Sequence, residues 1–459
     1  MLKYLILLVT DVFLYFSAPS SMDRSFMTIC AVLAAAKVVF VFFEGKSKAY
    51  DLRKIYLRHS TVFALCFFVV FFQCDIDYIV GLADKYDYFI YNPGVVCKAM
   101  ALSNLSFTCF LLGYSYNKTK ERIVSSSSLY HKSMNIELFK HKNYLNYLVF
   151  FIILVYVALF SNTGYGKEGW DRASVIIGYT VAFFVAIYVA YSMDYKEEKS
   201  SSWFFYMGTP LLLILIFIII VILTGRRTEV VRCGFLILCS YMFVKKRKAN
   251  YKFVLIASII GLLVISTSAI IRQNTDMTFS EGLLILQDSK SVFPPTKELS
   301  TSVNTLHIAM THYPEMEPYN LGSSFITSFL KIVPGLTGLV QFVLGEKIVG
   351  SDVIISDMYF GSRYHGWGLG SSIIADVYIS FGTIGVIIVF FLFGRFIRWI
   401  EIKTYMVASS VYIVSLSFSC YSQLMFACRS GLGILFLCWA YSCILLFMIK
   451  NSSSKHSLG

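Results

Sequence analysis

Five arginines sit where a strongly apolar chain has little ordinary use for positive charge. They are Arg226 and Arg227, in Thr224-Gly225-Arg226-Arg227-Thr228-Glu229, then Arg272, Arg363 and Arg429. A guanidinium is planar, stays charged at an interface and offers a fork of donors that matches phosphate oxygens. Thr228 could cap a following helix, whose free N–H groups and positive dipole end would favour the same anion. Each arginine alone reads as snorkelling at a helix end or as the partner of an acid such as Glu229. Five on one face read as a site for a lipid-linked phosphate or pyrophosphate, against the plainer alternative of headgroups bound without chemistry. Two further groups could move a proton. His365 lies in Gly361-Ser362-Arg363-Tyr364-His365-Gly366-Trp367-Gly368-Leu369-Gly370, and Asp376 follows in Ala375-Asp376-Val377-Tyr378. Either is a candidate general base. The competing readings are an ordinary loop histidine and an acid that pairs with Arg272 or Arg363.

These residues must be positioned by membrane helices. Of 459 residues, 57% are hydrophobic and only 15% charged, and mean hydropathy is +0.67. That places the chain among all-α polytopic integral membrane proteins. Apolar runs predict about 12 spans, at roughly 2–19, 26–43, 60–74, 95–114, 144–161, 174–192, 204–223, 229–244, 252–271, 373–394, 404–424 and 431–449. The net charge of +13 could point to nucleic acid, but the cations lie in short segments between spans, so no nucleic-acid partner is expected. Lys46, Lys48, Arg53, Lys54 and Arg58 follow the second run; Lys118, Lys120, Arg122, Lys132, Lys140 and Lys142 the fourth; Lys245, Lys246, Arg247, Lys248 and Lys252 the eighth; Arg395, Arg398 and Lys403 the tenth. These are alternate connections. The positive-inside rule then places both termini in the cytoplasm and the five arginines outside. The N-terminal run lacks a small-residue cleavage site and is expected to be a retained helix.

Roughly 100 residues interrupt the apolar pattern between the ninth and tenth spans, far beyond an ordinary connection. The expected organisation is therefore 1–271, a bundle of about nine spans; 272–372, a large outside loop; and 373–459, about three more spans. Within the loop, Lys297 to His312 could form a helix ended by Pro314 and Pro318. Gly322 to Leu344 repeats apolar residues at near-helical spacing, broken by Pro334, and should lie along the membrane interface. His307 and His312 are five apart, off the spacing that puts two ligands on one helix face. With no HExxH pattern, no metal is expected. The cysteines fall mostly in apolar runs as small hydrophobes; Cys74 and Cys97 flank one outside connection and could pair. Asp11 and Lys37, at similar depth in antiparallel runs, read as a stabilising ion pair, with proton coupling as a lesser option.

The chain resembles the bacterial O-antigen polymerases. The likeness rests on Gly225-Arg226-Arg227 after a long apolar span, Gly322-Ser323-Ser324-Phe325 through Ile332-Val333-Pro334, the run from Gly370-Ser371-Ser372 through Ala375-Asp376-Val377-Tyr378 to Phe381-Gly382-Thr383-Ile384-Gly385, and the late large loop. Asp376 stands where the family pattern leads one to expect Glu. The resemblance implies a membrane-embedded glycosyltransferase of the bacterial inner membrane with a periplasmic loop. Its substrates would be undecaprenyl-pyrophosphate-linked oligosaccharides within membrane lipid. Arg226, Arg227, Arg272, Arg363 and Arg429 would bind the pyrophosphate, Asp376 or His365 would act as base, and Tyr364, Trp367 and Tyr378 would line the substrate loop. No cofactor is implied, and a chain-length regulator and a flippase of the same pathway are candidate partners. Other readings are an O-antigen ligase, a lipid-linked oligosaccharide flippase, and a non-enzymatic scaffold. A flippase should show related halves, and none is visible.

Overall fold

Within the described residues the apolar runs become helices, because a backbone in hydrocarbon must satisfy its own polar groups; the run expected at 252–271 lies largely outside them. The computed structural model describes residues 2–44, 55, 57–84, 91–116, 142–160, 170–195, 203–223, 228–245, 278–288, 290–330, 333, 335–345, 349–361, 369–405 and 410–455, with isolated positions between 259 and 270. Among the described residues the structure is helical, with no strand. In chain order the described helices longer than two turns are α1 (Leu2–Ser17), α2 (Arg24–Phe43), α3 (His59–Ile79), α4 (Val96–Ser115), α5 (Lys142–Phe160), α6 (Trp170–Asp194), α7 (Gly208–Leu223), α8 (Thr228–Lys245), α9 (Phe279–Gln287), α10 (Asn304–His312), α11 (Ser323–Leu330), α12 (Leu336–Leu344), α13 (Ser351–Phe360), α14 (Ile373–Tyr405), α15 (Val411–Ser430) and α16 (Ile434–Lys455). Five of them, α2, α3, α4, α14 and α15, are long and apolar enough to cross a membrane. Shorter apolar helices cover Asn143–Leu159, Tyr179–Asp194, Gly208–Ile222 and Ile434–Met448.

The chain divides into two compact units. The first comprises Met1–Glu121, Leu283–Trp399 and Leu424–Ile434; the second comprises Arg122–Gly282, Ile400–Gln423 and Leu435–Gly459.

The core of the first unit is aromatic. Phe63 packs 4.5 Å from Phe110 and 5.0 Å from Phe393 between ring centroids, and Phe67 lies 5.2 Å from Phe107. Two glycines let α4 and α14 touch backbone to backbone. A Cβ on Gly113 would lie 1.9 Å from the Phe391 carbonyl oxygen, and one on Gly394 would lie 2.0 Å from that of Phe110. Small residues at such crossings are how membrane helices approach closely. The Asp11–Lys37 pair is present and fully buried. Lys37 Nζ donates to both Asp11 oxygens at 2.9 and 2.8 Å and to Asn104 Oδ1 at 2.8 Å, while Thr108 Oγ1 donates to Asp11 Oδ2 at 2.6 Å. The charge is thus enclosed by hydrogen bonds, the condition under which a buried ion pair is tolerated.

The long segment after α9 folds back on the first unit. Gln73 Nε2 donates to Ser291 Oγ and the Phe293 carbonyl, at 3.0 and 2.9 Å. Asp77 accepts from Ser291 Oγ and the Val292 N–H, both at 2.7 Å. The helix expected over Lys297 to His312 is broken: one turn at Lys297–Ser300, a 3-10 turn at Thr301–Val303, then α10. The expected interfacial segment is two helices, α11 and α12, separated by a break in which Gly335 takes φ +78°. Their outward residues are apolar: Leu339 is 61% exposed and Phe342 87%.

Two expectations shift near the C-terminus. The span placed at 373–394 continues helical to Tyr405, and the next helix begins only at Val411. The extension has a physical cause. Arg395 and Arg398 lie over the rings of Tyr116 and Tyr114, each at 5.3 Å, so the basic stretch is packed as helix beyond the apolar run. All eleven cysteines are free. Cys74 contacts Ser300 Oγ at 3.0 Å and Cys97 donates to the Ser21 carbonyl at 3.3 Å, so the suggested pair does not form.

In the second unit, Tyr191 links to α5 by donating to Asn143 Oδ1 at 3.0 Å and accepting from Asn146 Nδ2 at 2.5 Å. Ser192 and Ser240 join α6 to α8 at 2.6 Å.

Candidate functional site

The start of α14 is the best-defined part of the predicted site. Ser372 precedes the helix, its hydroxyl accepting from the Ala375 N–H at 3.4 Å and its carbonyl from the Asp376 N–H at 2.8 Å. Serine at this position satisfies N–H groups that the helix cannot. Asp376 therefore sits one turn inside, and it is buried, 1% exposed. Gly431, in the turn between α15 and α16, rests directly against it. A Cβ there would fall 2.6 Å from Asp376 Oδ2, and Gly431 has φ +91°, a conformation that only glycine adopts readily. The same turn brings in the Arg429 backbone, whose carbonyl oxygen would lie 3.7 Å from a Cβ on Gly370. Arg429 occupies the last turn of α15, not a free turn, and is half-buried. The segment before α14, Asp376, and the end of α15 thus form one neighbourhood.

A second feature organises this end of α14. The helix is kinked at Gly382, with φ 65° and ψ −164°. The Tyr319 ring fills the space beside the kink, 2.8 Å from where a Gly382 Cβ would be. Around it, the Asn320 N–H donates to the Ile379 carbonyl at 3.1 Å, and Ser324 and Ser380 hydroxyls meet at 3.0 Å. Tyr378 is buried; its hydroxyl donates to the Tyr313 carbonyl at 3.3 Å and its ring meets Tyr319 edge-on at 5.9 Å. Tyr313 in turn stacks on Tyr319 at 6.2 Å and donates to Glu317 Oε2 at 3.1 Å. Burial, and then the neighbouring Glu317 carboxylate, push the Tyr313 hydroxyl pKa above its ordinary value, so it remains a donor at physiological pH.

Arg226, Arg227, Arg272, Arg363, Tyr364, His365 and Trp367 lie outside the described residues. Of the predicted set the structure describes Asp376, Tyr378 and Arg429, all in the first unit. One cation was missed by sequence reasoning. Arg232, 9% exposed, pairs with Glu229, 6% exposed, at 3.6 Å within the first turns of α8. The Glu–x–x–Arg spacing at the head of an apolar run was its available signal. Glu229, the acid suggested as an arginine partner, pairs with Arg232; its pairing with Arg226 or Arg227 lies outside the described residues. Among the described residues no group of His, Cys, Asp and Glu could hold a metal ion.

The family model described as O-antigen polysaccharide polymerase Wzy matches residues 4–456. No curated protein and no solved structure matches the chain.

Proposed function

The chain belongs to the O-antigen polysaccharide polymerase Wzy family, and we propose that it acts by transferring a growing glycan from one lipid carrier to another. Membership implies a multi-pass membrane protein with a polymerising glycosyltransferase-type activity, acting on lipid-linked oligosaccharides amid membrane lipid. The finer reading is ours. The donor is the growing polysaccharide on undecaprenyl pyrophosphate, and the acceptor is the terminal sugar hydroxyl of one carrier-linked repeat unit. Reaction takes place on the periplasmic face of the inner membrane, in a protein of about twelve spans whose termini are cytoplasmic.

In this reaction the acceptor oxygen forms a bond to the anomeric carbon as the bond from that carbon to the pyrophosphate oxygen breaks. Asp376 or His365 takes the acceptor proton. The undecaprenyl pyrophosphate leaves with the bonding electron pair, and Arg226, Arg227, Arg272, Arg363 and Arg429 hold it and stabilise the charge that develops. Tyr364, Trp367 and Tyr378 shape the substrate loop, and the α11–α12 segment seats the lipid carriers. The observation that carries the reading is the burial of Asp376 one helical turn inside the start of α14, against Gly431 and beside the Arg429 turn. An acid in that position is costly unless the protein uses it.

The test is direct. Arg226, Arg227 and Arg272 are replaced singly by Ala in a strain scored for polysaccharide ladders. Shortened or absent ladders at normal protein level are expected; full-length ladders from all three would remove the pyrophosphate clamp.

A further inference from the structure

We infer that Tyr91, His312 and Tyr359 form a carbohydrate-stacking platform that receives a sugar ring of the oligosaccharide substrate. The inference deepens the polymerase reading and rests on it. The three residues come from separate stretches: the connection before α4, the last turn of α10 and the last turn of α13. Tyr91 Oη and His312 Nε2 are hydrogen-bonded at 3.2 Å, with ring centroids 6.0 Å apart. The Tyr91 and Tyr359 rings are 5.7 Å apart and tilted by 46°. Tyr359 is 36% exposed, and Tyr91 and His312 are half-buried. The rings are therefore held in place without being used up as core.

Their surroundings are polar. Asn92 Nδ2 donates to Thr311 Oγ1 at 3.3 Å, and Glu315 and Glu317 are exposed nearby in the chain. A pyranose presents an apolar C–H face and a rim of hydroxyls. The electron-rich face of a tyrosine suits the first, and imidazole, amide and carboxylate groups suit the second. Membrane lipid is the competing occupant, since Tyr also collects at interfaces. The exposed apolar surface of this unit looks different: α12 exposes Leu339, Phe342 and Val343 and carries no charged residue. Exposed acids three and five residues after His312 are a poor match to an acyl boundary. The platform also connects to the candidate acid. His312 immediately precedes Tyr313, whose carbonyl accepts from Tyr378, two residues beyond Asp376.

The experiment uses the full chain in nanodiscs. The probe is free oligosaccharide released by mild acid from the host strain's own polysaccharide, and affinity is read by saturation-transfer NMR. Tyr359→Ala and His312→Ala should each weaken binding roughly five- to tenfold, the scale of one stacking contact. Melting temperature should stay that of the wild type, and Tyr359→Phe should retain binding. In cells, Tyr359→Ala should shift the ladder towards short chains at normal protein level. No binding by the wild type, or undiminished binding by Tyr359→Ala while the wild type polymerises, overturns the platform alone. A wild-type protein that restores no ladder to a deletion strain overturns the polymerase reading and the inference with it.

Discussion

At the scale of single residues, Asp376 and Gly431 form one unit. Replacing Asp376 by Asn keeps the size and removes the base. If Asp376 is that base, ladder synthesis should fall about 10²- to 10⁴-fold, measured as repeat units added per cell at matched protein level. His365→Gln, assayed in parallel, decides between the two candidates. Gly431→Ala should be nearly as damaging: the added methyl meets Asp376 Oδ2 at 2.6 Å, and φ +91° disfavours any side chain. Normal ladders from that variant would show that the acid's position does not matter. The buried Asp11–Lys37 pair predicts the opposite pattern. Asp11→Ala strands a buried ammonium and should cost about 3–5 kcal/mol, read as a lowered melting temperature. The double change Asp11→Leu with Lys37→Met should recover most of it and leave ladders intact, which a proton-coupling role for the pair would forbid. This pairing was legible in the sequence because two opposite charges lay at similar depth in adjacent apolar runs. The Glu229–Arg232 spacing was visible in the sequence, but spacing alone does not show that both side chains are buried together at the head of α8.

Among the elements, the decisive contact is the α4–α14 crossing. Gly113 and Gly394 each face a carbonyl oxygen at about 2 Å from where a Cβ would be, and backbone cannot rotate away as a side chain can. Gly113→Val or Gly394→Val should therefore exceed the usual 1–3 kcal/mol or so of overpacking and lower the yield of monodisperse protein in detergent; wild-type yield and melting temperature from both would show that the crossing can open. The sequence announced α3, α4 and the body of α14 through length and apolarity. It did not announce which helices meet, because nothing in a run of Phe and Gly identifies the facing partner. Nor did it reveal how the segment after α9 is fastened. Gln73 and Asp77 are polar residues near the end of an apolar helix, and only the fold shows that they grip Ser291, Val292 and Phe293. The boundary after α14 moved for a related reason. Hydropathy ends at the hydrocarbon, whereas the helix persists through Arg395 and Arg398 by packing on tyrosines.

For the whole molecule, the reading is one of topology and pathway. Alternating basic connections predict that a periplasm-dependent reporter fused near residue 290 is active and one fused near residue 120 or 248 is silent; activity at either of the latter sites would invert the orientation. Loss of the gene should leave lipopolysaccharide core bearing a single repeat unit. Bare core would instead fit a ligase or a flippase. Overall helical class and membrane residence were readable from composition, since few soluble chains of 459 residues hold charged residues to 15%. How the arginines of distant segments are arranged was not readable, because spacing along the chain carries no distance across a bundle.

The Tyr319 ring seated beside the Gly382 kink has a practical corollary for swapping glycan preference between relatives. A transplanted loop brings its own residue to that notch, and the host helix supplies the notch itself. Hybrids spliced between 319 and 382 join halves that have not been fitted to each other. Hybrids that inherit both from one parent keep the joint whole and are the ones worth building.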